Sequence, residues 1–148
     1  MPATSTAVSA GSVQVWIDDA NGTPVNVSGS ANRVRMEVTQ EVERYRVFGE
    51  GWARRLAGGR DGALTLDVVY STAADEGLAL LRGWYFGAAS RTPRTVRLLM
   101  PDGGAGSDAY SGEFVLARLN LPLDAAQADP VTATAELLPH GAISHSAV

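Results

Sequence analysis

The sequence predicts a mainly β fold, a β-sandwich or barrel of about seven strands with one flanking α-helix. Apolar and polar residues alternate in most segments between residues 13 and 138, which is the period of a strand with one buried face. Helical spacing of apolar residues occurs in one segment, near residues 72–87. Connections of hairpin length join the segments, which favours a single all-β domain over residues 13–148 with a helix on its flank.

The first two strands are predicted to form a hairpin. Residues 13–17 alternate, and Val25 and Val27 lie on the returning strand. Between them, Asn21 and Gly22 form the pair that tolerates positive φ at both positions of a tight turn. Residues 33–39 alternate again, and the phase slips near residues 42–45, which indicates a bulge or a corner.

A loop is predicted next, over residues 49–62, because glycines recur there and alternation is lost. Trp52 lies in the middle of this loop and is a candidate interface anchor. The strand at residues 63–70 then has an inward apolar face, made of Leu64, Leu66, Val68 and Tyr70.

A helix of about 13 residues is predicted between Thr72 and Gly87. Thr72 and Asp75 have the spacing of a capping arrangement, and Gly87 is a stop signal. The apolar residues of this segment have helical spacing, so the aromatic run 84–86 is expected in the core.

The remaining segments are again predicted as strands, at residues 95–100, 110–121 and 131–138. Residues 142–148 are expected to trail off as a C-terminal tail, and residues 1–12 to form a flexible N-terminal arm of Ala, Ser and Thr.

The composition argues against an enzyme. The chain has no Cys and its twelve basic residues are all Arg, so thiolate and lysine Schiff-base chemistry are excluded. The two histidines, His140 and His145, lie near the C-terminus, and no GxSxG elbow accompanies them. We therefore predict no catalytic residue, no cofactor and no metal ligand.

The charge balance argues against a protein that grips nucleic acid. The net charge is −4, whereas such proteins usually carry a basic cluster. No apolar run is long enough to span a membrane, and the N-terminus has no features of a secretory signal.

The order of the segments resembles the major tail (tube) proteins of long-tailed bacteriophages, over roughly residues 12–145. The resemblance is carried by the opening Asn-Gly hairpin, the long glycine-rich loop, GALTLDVVY at residues 62–70, the helix with Leu80 and Leu81, VTATAEL at residues 131–137, and GAI at residues 141–143. The tubes of type VI secretion and contractile injection systems look similar.

The resemblance implies a β-barrel-like sandwich that assembles into stacked six-fold rings, with strands of each subunit joined into a continuous inner barrel. DNA would cross the lumen to the host without specific binding. The implied partners are other copies of the chain, the tape-measure protein, and the tail-terminator and distal-tail proteins. The implied location is the virion tail, assembled in the host cytoplasm.

The resemblance also suggests roles for particular residues. The lumen-facing candidates are Thr65, Asp67, Thr132, Thr134 and Glu136. The candidates for contacts between rings or subunits lie in a stacking loop at residues 40–62: Glu41, Glu43, Trp52, Arg54 and Arg55. The arm at residues 1–12 and the tail at residues 141–148 would also bridge rings.

Arg33 and Arg35 depart from the pattern, because a DNA conduit should keep its wall neutral or acidic. Either their strand face looks outward or acidic neighbours compensate for their charge. Two alternative functions remain open. One is another tail or capsid component, such as a tail terminator or a decoration protein. The other is a β-sandwich ligand-binding module that uses Trp52 and nearby Arg residues.

Overall fold

The computed structural model describes residues 4, 10–101, 104–123, 125–126 and 131–148. Within these residues the chain forms eight strands and one α-helix, preceded by a short 3₁₀ turn at Ala10–Ser12. The elements are β1 (Gln14–Asp18), β2 (Pro24–Asn26), β3 (Ala31–Tyr45), β4 (Arg54–Val69), α1 (Gly77–Phe86), β5 (Arg94–Met100), β6 (Asp108–Asn120), β7 (Thr132–Pro139) and β8 (Ser144–Ala147).

All eight strands belong to one antiparallel sheet, in the order β2-β1-β5-β6-β7-β4-β3, with β8 added beside β6. One face of the sheet is apolar, and α1 packs against it through Leu78, Leu81 and Trp84. The predicted class, mainly β with one flanking helix, is confirmed.

The core follows the predicted alternation closely on β4 and β7. Leu64, Leu66 and Val68 are completely buried. Each lies opposite a buried residue of β7, namely Leu137, Ala135 and Ala133. Because paired residues of antiparallel strands point to the same side, the polar residues between them are collected on the other face. Tyr70, predicted to point inward, is exposed just beyond the end of β4.

The helix starts later than predicted, and the cap at Thr72 is wrong. The N-cap is Glu76, without a side-chain hydrogen bond, and the Gly77 N–H donates to the Ser30 hydroxyl at 3.0 Å. A Cβ at Gly77 would lie 3.0 Å from the Ser30 Cβ, so a larger residue would require Ser30 to shift. Ser30, which lies 47 positions before Gly77 in the chain, therefore accepts the hydrogen bond at the start of the helix that was expected to go to Thr72.

The aromatic run on the helix was also only partly predicted. Trp84 is in the core, but Tyr85 and Phe86 are exposed, which corrects their placement there. Trp84 also covers Arg94: the guanidinium lies 5.1 Å from the ring centroid and donates to the Asp18 carbonyl oxygen at 3.4 Å. Burial lowers the pKa of Arg94 from its ordinary value.

The opening hairpin is confirmed, but its turn differs from the predicted one. Asp18 pairs with Pro24, so five residues connect the strands. The Asp19 carboxylate accepts hydrogen bonds from the N–H groups of Asn21 and Thr23, at 2.8 and 2.9 Å. Gly22 has a φ of 80°, whereas Asn21 does not have positive φ. The turn is thus held by an aspartate side chain rather than by an Asn-Gly pair.

The predicted loop at residues 49–62, and the wider stacking loop at 40–62, are wrong as secondary structure. β3 extends to Tyr45 and β4 begins at Arg54, so most of the segment is a long antiparallel hairpin. The pairing shifts register between Gln40 and Val42, where β4 holds the extra residue and Gly58 and Gly59 lie opposite Glu41. The phase slip in the sequence therefore marks a bulge.

This long hairpin has three parts. The hairpin base comprises residues 31–38 and 62–69, the distal hairpin comprises residues 39–45 and 54–61, and the hairpin tip comprises residues 44–55. The base supplies core residues, whereas every residue of the distal hairpin is exposed.

The two chain ends have different outcomes. The predicted arm at residues 1–12 falls mainly on residues 1–3 and 5–9, which lie outside the described part of the chain. The tail at residues 141–148 does not trail off, because β8 pairs with β6 in its own subunit. His145 Nε2 lies 2.8 Å from Asp108 Oδ1, and the Val148 N–H donates to the Ser107 carbonyl oxygen at 2.8 Å.

Candidate functional site

The structure brings together all five residues predicted to line a lumen. They lie on the polar face of β4 and β7, where Thr65 pairs with Glu136, Asp67 with Thr134, and Val69 with Thr132. The Thr134 hydroxyl donates to Asp67 Oδ1 at 2.8 Å. The five side chains are half-buried, so they form a continuous polar strip across two neighbouring strands.

Arg33 and Arg35 extend this strip onto β3. Arg33 pairs with Asp67 and Arg35 with Thr65, so both arginines share the polar face. Arg35 lies 3.5 Å from the Glu37 carboxylate, and Arg33 lies opposite Asp67 in the strand pairing. An acidic residue is therefore in ion-pair contact with Arg35, and an acidic residue is the strand partner of Arg33.

Sequence reasoning missed Arg118, which also belongs to this face. It pairs with Glu136, and their side chains form an ion pair at 3.0 Å. A register shift between Leu116 and Arg118 brings it there. The sequence contains the signal, because the apolar positions change from Phe114 and Leu116 to Leu119 and Leu121 across this point.

The polar face spans four strands, β3-β4-β7-β6, and both edges of this group are open. β3 pairs with β4 on one side only. β6 pairs with β5 as far as Phe114, so residues 115–120 pair only with β7. In the part of the chain that the structure describes, these are two long unpaired strand edges, and such edges are templates for pairing with another chain.

The residues predicted to join rings or subunits are also brought together, on the distal hairpin and its tip. Trp52 is 87% exposed, and Glu41, Glu43, Arg54 and Arg55 are exposed as well. Arg54 forms an ion pair with Glu50, with an Nε to Oε2 distance of 2.9 Å. Hydrogen bonding to Glu50, and secondarily to Tyr45, raises the pKa of Arg54.

Further apolar residues of this region are exposed and were not predicted as contacts. They are Val42, Tyr45, Val47, Phe48 and Leu56, and Val38 at the end of the hairpin base is exposed as well. Phe48 is fully exposed in the turn between the strands. Several exposed apolar side chains on one hairpin are a candidate interaction surface.

The described residues contain no group of three or more His, Asp or Glu residues placed to hold a metal ion. None of the helices within the described ranges has the length and apolar character needed to cross a membrane.

Comparison with solved structures identifies the fold. A chain of the anti-feeding prophage baseplate superposes with a TM-score of 0.75 at 19% identity, covering 99% of this chain and 99% of that one. A chain of the SPP1 tail tube superposes with a TM-score of 0.74 at 10% identity, covering 96% of this chain and 80% of that one.

A chain from the tail of an empty gene transfer agent particle, refined with C6 symmetry, superposes with a TM-score of 0.73 at 17% identity, covering 95% of this chain and all of that one. No protein-family model matches the sequence, and no curated protein matches it either. The chain therefore has the fold of tail tube proteins, as the resemblance implied.

Proposed function

We propose that this protein is the structural subunit of a tail tube. Six copies form a ring, the rings stack, and DNA crosses the lumen on its way to the host. The observation that carries the proposal is a four-stranded polar face with an open strand edge on each side. Support for the tube comes from the fold, which this chain shares with tail chains of phage and injection systems.

Ring formation follows from the two open edges. The β3 edge of one copy would pair with residues 115–120 of β6 in the next copy, which satisfies unpaired backbone groups on both. Repeating this contact around six copies closes the four-stranded part of the sheet into a ring, so that neither of these two edges remains. The polar faces of β3, β4, β7 and β6 would then form one continuous wall.

The wall so formed suits a conduit. Thr65, Thr132 and Thr134 are uncharged, and Arg35 and Arg118 each lie beside a carboxylate. Because attraction between arginine and phosphate dominates affinity for DNA, arginines neutralised in this way hold passing DNA weakly. The role is structural rather than enzymatic, and the expected location is the virion tail.

Stacking of rings would use the distal hairpin and its tip, where Phe48 and Trp52 are exposed. The tail at residues 141–148 is not included, because it is paired in its own subunit. The arm at residues 1–12 stays a candidate contact. The tape-measure protein, the tail terminator and the distal-tail proteins are the expected partners inside and at the ends of the tube.

Electron microscopy of the purified protein tests the proposal. We expect rings of six copies and tubes of stacked rings, with the mass of the ring measured by native mass spectrometry. A monomer that stays monodisperse at high concentration contradicts the proposal. Rings without tubes favour the alternative of a tail terminator.

A matched pair of variants tests the part played by the tip. Phe48→Ser should abolish tubes and leave rings, whereas Phe86→Ser, which removes another exposed aromatic from the end of α1, should leave both. Equal loss of tubes in the two variants would show that the hairpin tip has no specific role in ring stacking. A glycan or small-molecule screen whose hits depend on Trp52 would instead support the ligand-binding alternative.

A further inference from the structure

A groove of about 740 Å³ lies at the end of the molecule where β4 finishes. It is lined by apolar side chains of β2, β4 and α1, among them Val25, Val69 and Leu80. Its charged lining residues are Asp75 and Glu76, which are both exposed. We call it the acidic groove.

The hairpin tip lies at the opposite end of the same two strands. β4 starts at the tip with Arg54 and ends at the acidic groove with Val69, so its sixteen residues separate the two features. At about 3.3 Å per residue, this separation is roughly 50 Å. The same strand therefore has a projecting apolar tip at one end and an open apolar groove at the other.

The charges of the tip are unbalanced in the isolated subunit. Arg44 and Arg55 lie directly opposite each other in the pairing of β3 with β4. Like charges at directly opposite positions destabilise a pair of strands. Among the residues described, no ion pair includes Arg44, Arg46 or Arg55. Arg54, in contrast, is paired with Glu50. An acidic surface placed against the tip would remove this repulsion.

Charge distinguishes the acidic groove from two other grooves of similar size. A groove of about 760 Å³ beside β3 has Arg33 as its charged lining residue, which would repel the tip. A groove of about 680 Å³ lies against the distal hairpin itself, and its lining includes Arg60 as well as Asp61. Of these three grooves, the acidic groove is the one whose charged lining is opposite in sign to the tip.

We propose that the hairpin tip of one copy docks in the acidic groove of a copy in the next ring. Phe48 and Trp52 then fill the apolar floor, while Arg44 and Arg55 face Asp75 and Glu76. Aromatic side chains that are exposed in the free subunit and become buried in a pocket of the partner usually lie at the centre of a strong interface. Since the two surfaces differ and lie at opposite ends, repetition of the contact extends the assembly along the strands.

This inference rests on the proposed tube function and names the surfaces that stack. Charge reversal in the groove, Asp75→Arg with Glu76→Arg, should abolish tubes and leave rings. Reversal in the tip, Arg44→Glu with Arg55→Glu, should do the same. The variant that carries all four changes should recover tubes, and Arg91→Glu, an exposed change elsewhere, should keep them. If the variant with all four changes does not recover tubes, the proposed direct contact between these charges is wrong.

Crosslinking locates the contact independently, since the chain has no native Cys. Gly51→Cys places a thiol at the tip without removing an anchor, and Ala74→Cys places one in the acidic groove. Tubes made from an equal mixture of the two variants should yield disulfide-linked dimers on oxidation. The matched control is Gly51→Cys mixed with Asn32→Cys, which lies in the groove beside β3 and should give none.

The outcomes separate the two proposals. Tubes whose tip crosslinks to Asn32→Cys and not to Ala74→Cys overturn the acidic groove and leave the tube function standing. Tubes without a crosslink in either mixture also overturn the acidic groove alone. Wild-type protein that forms neither rings nor tubes overturns both proposals.

Discussion

The hairpin base and the distal hairpin belong to the same two strands and are paired in the same way, yet their surroundings are opposite. In the base, Leu64, Leu66 and Val68 are completely buried under the rest of the domain. In the distal hairpin, Val42 and Leu56 are exposed although they lie in paired strands. Backbone pairing thus continues beyond the core, and the apolar side chains of the distal hairpin are not buried by other residues of the subunit.

This difference separates what holds the subunit together from what joins it to others. The base is stabilised by burial of apolar side chains, which is the main favourable contribution to folding. The distal hairpin contributes little of this kind in isolation. Burial of its apolar side chains, as proposed, would stabilise the assembly instead.

The largest expected effect comes from equivalent truncations in the two regions. Leu66→Ala removes a fully buried side chain of the base, so the free energy of unfolding should fall by about 2–5 kcal/mol. Leu56→Ala removes a side chain that is 63% exposed, so the change should stay within about 0.5 kcal/mol. Urea denaturation of dissociated subunits measures both.

The effect of Leu56→Ala should be larger in assembled tubes than in dissociated subunits. If the distal hairpin is covered by another copy, Leu56→Ala should lower the temperature at which tubes dissociate, although it leaves the subunit stable. Equal losses of stability in the two dissociated variants would contradict the comparison, because they would mean that the distal hairpin is also part of the core.

Two glycines of β4 provide a second comparison, with a smaller expected effect. A Cβ at Gly62, in the base, would lie 2.7 Å from the Glu37 carbonyl oxygen, which is too close for any real contact. Gly62→Ala should therefore cost about 1–3 kcal/mol through displacement of the backbone. Gly59, in the distal hairpin, has its nearest neighbour at 4.0 Å, and Gly59→Ala should change stability by less than about 0.5 kcal/mol.

Thermal unfolding of dissociated subunits distinguishes the two glycine variants. Neither glycine has positive φ, so backbone strain does not complicate the comparison. Equal melting temperatures for the two variants would contradict this comparison, because they would mean that the base accommodates an added Cβ as readily as the distal hairpin does.

The same contrast explains what the sequence could predict. Alternation arises where one face of a strand is buried, and this holds for β4 beyond residue 62 and for β7. The five polar residues predicted for the lumen are therefore correctly grouped on one face. Whether that face lines a lumen is a proposal.

Elements without a buried face have no such signal. The distal half of β4 is exposed on both sides and contains Gly58 and Gly59, so its sequence predicts a loop. β8 is also exposed along its length, and its sequence predicts a tail. The start of α1 depends on Ser30, a contact distant in the chain that local patterns do not contain.

The smallest expected effect concerns charge, and it compares the body of the domain with the hairpin tip. Burial raises the pKa of Asp18 above its ordinary value, about 3.8, and repulsion from Glu113 and Asp19 adds to this. A hydrogen bond from Thr95 and the charge of Arg94 act in the opposite direction. The folded state therefore holds this proton more tightly than the unfolded state does.

The sign of the pH dependence follows from that difference. Between about pH 3.8 and the raised pKa of Asp18, the folded state binds more protons, so its stability falls as the pH rises. Asp18→Asn should remove this fall, and its advantage over the wild type should grow from acid to neutral pH. Glu50→Gln, which breaks the exposed ion pair with Arg54 at the tip, should leave the free energy of unfolding at pH 7 unchanged within experimental error, because solvent screens this pair. Urea denaturation across the pH range measures both variants, and a wild-type slope that persists in Asp18→Asn would assign the titration to another group.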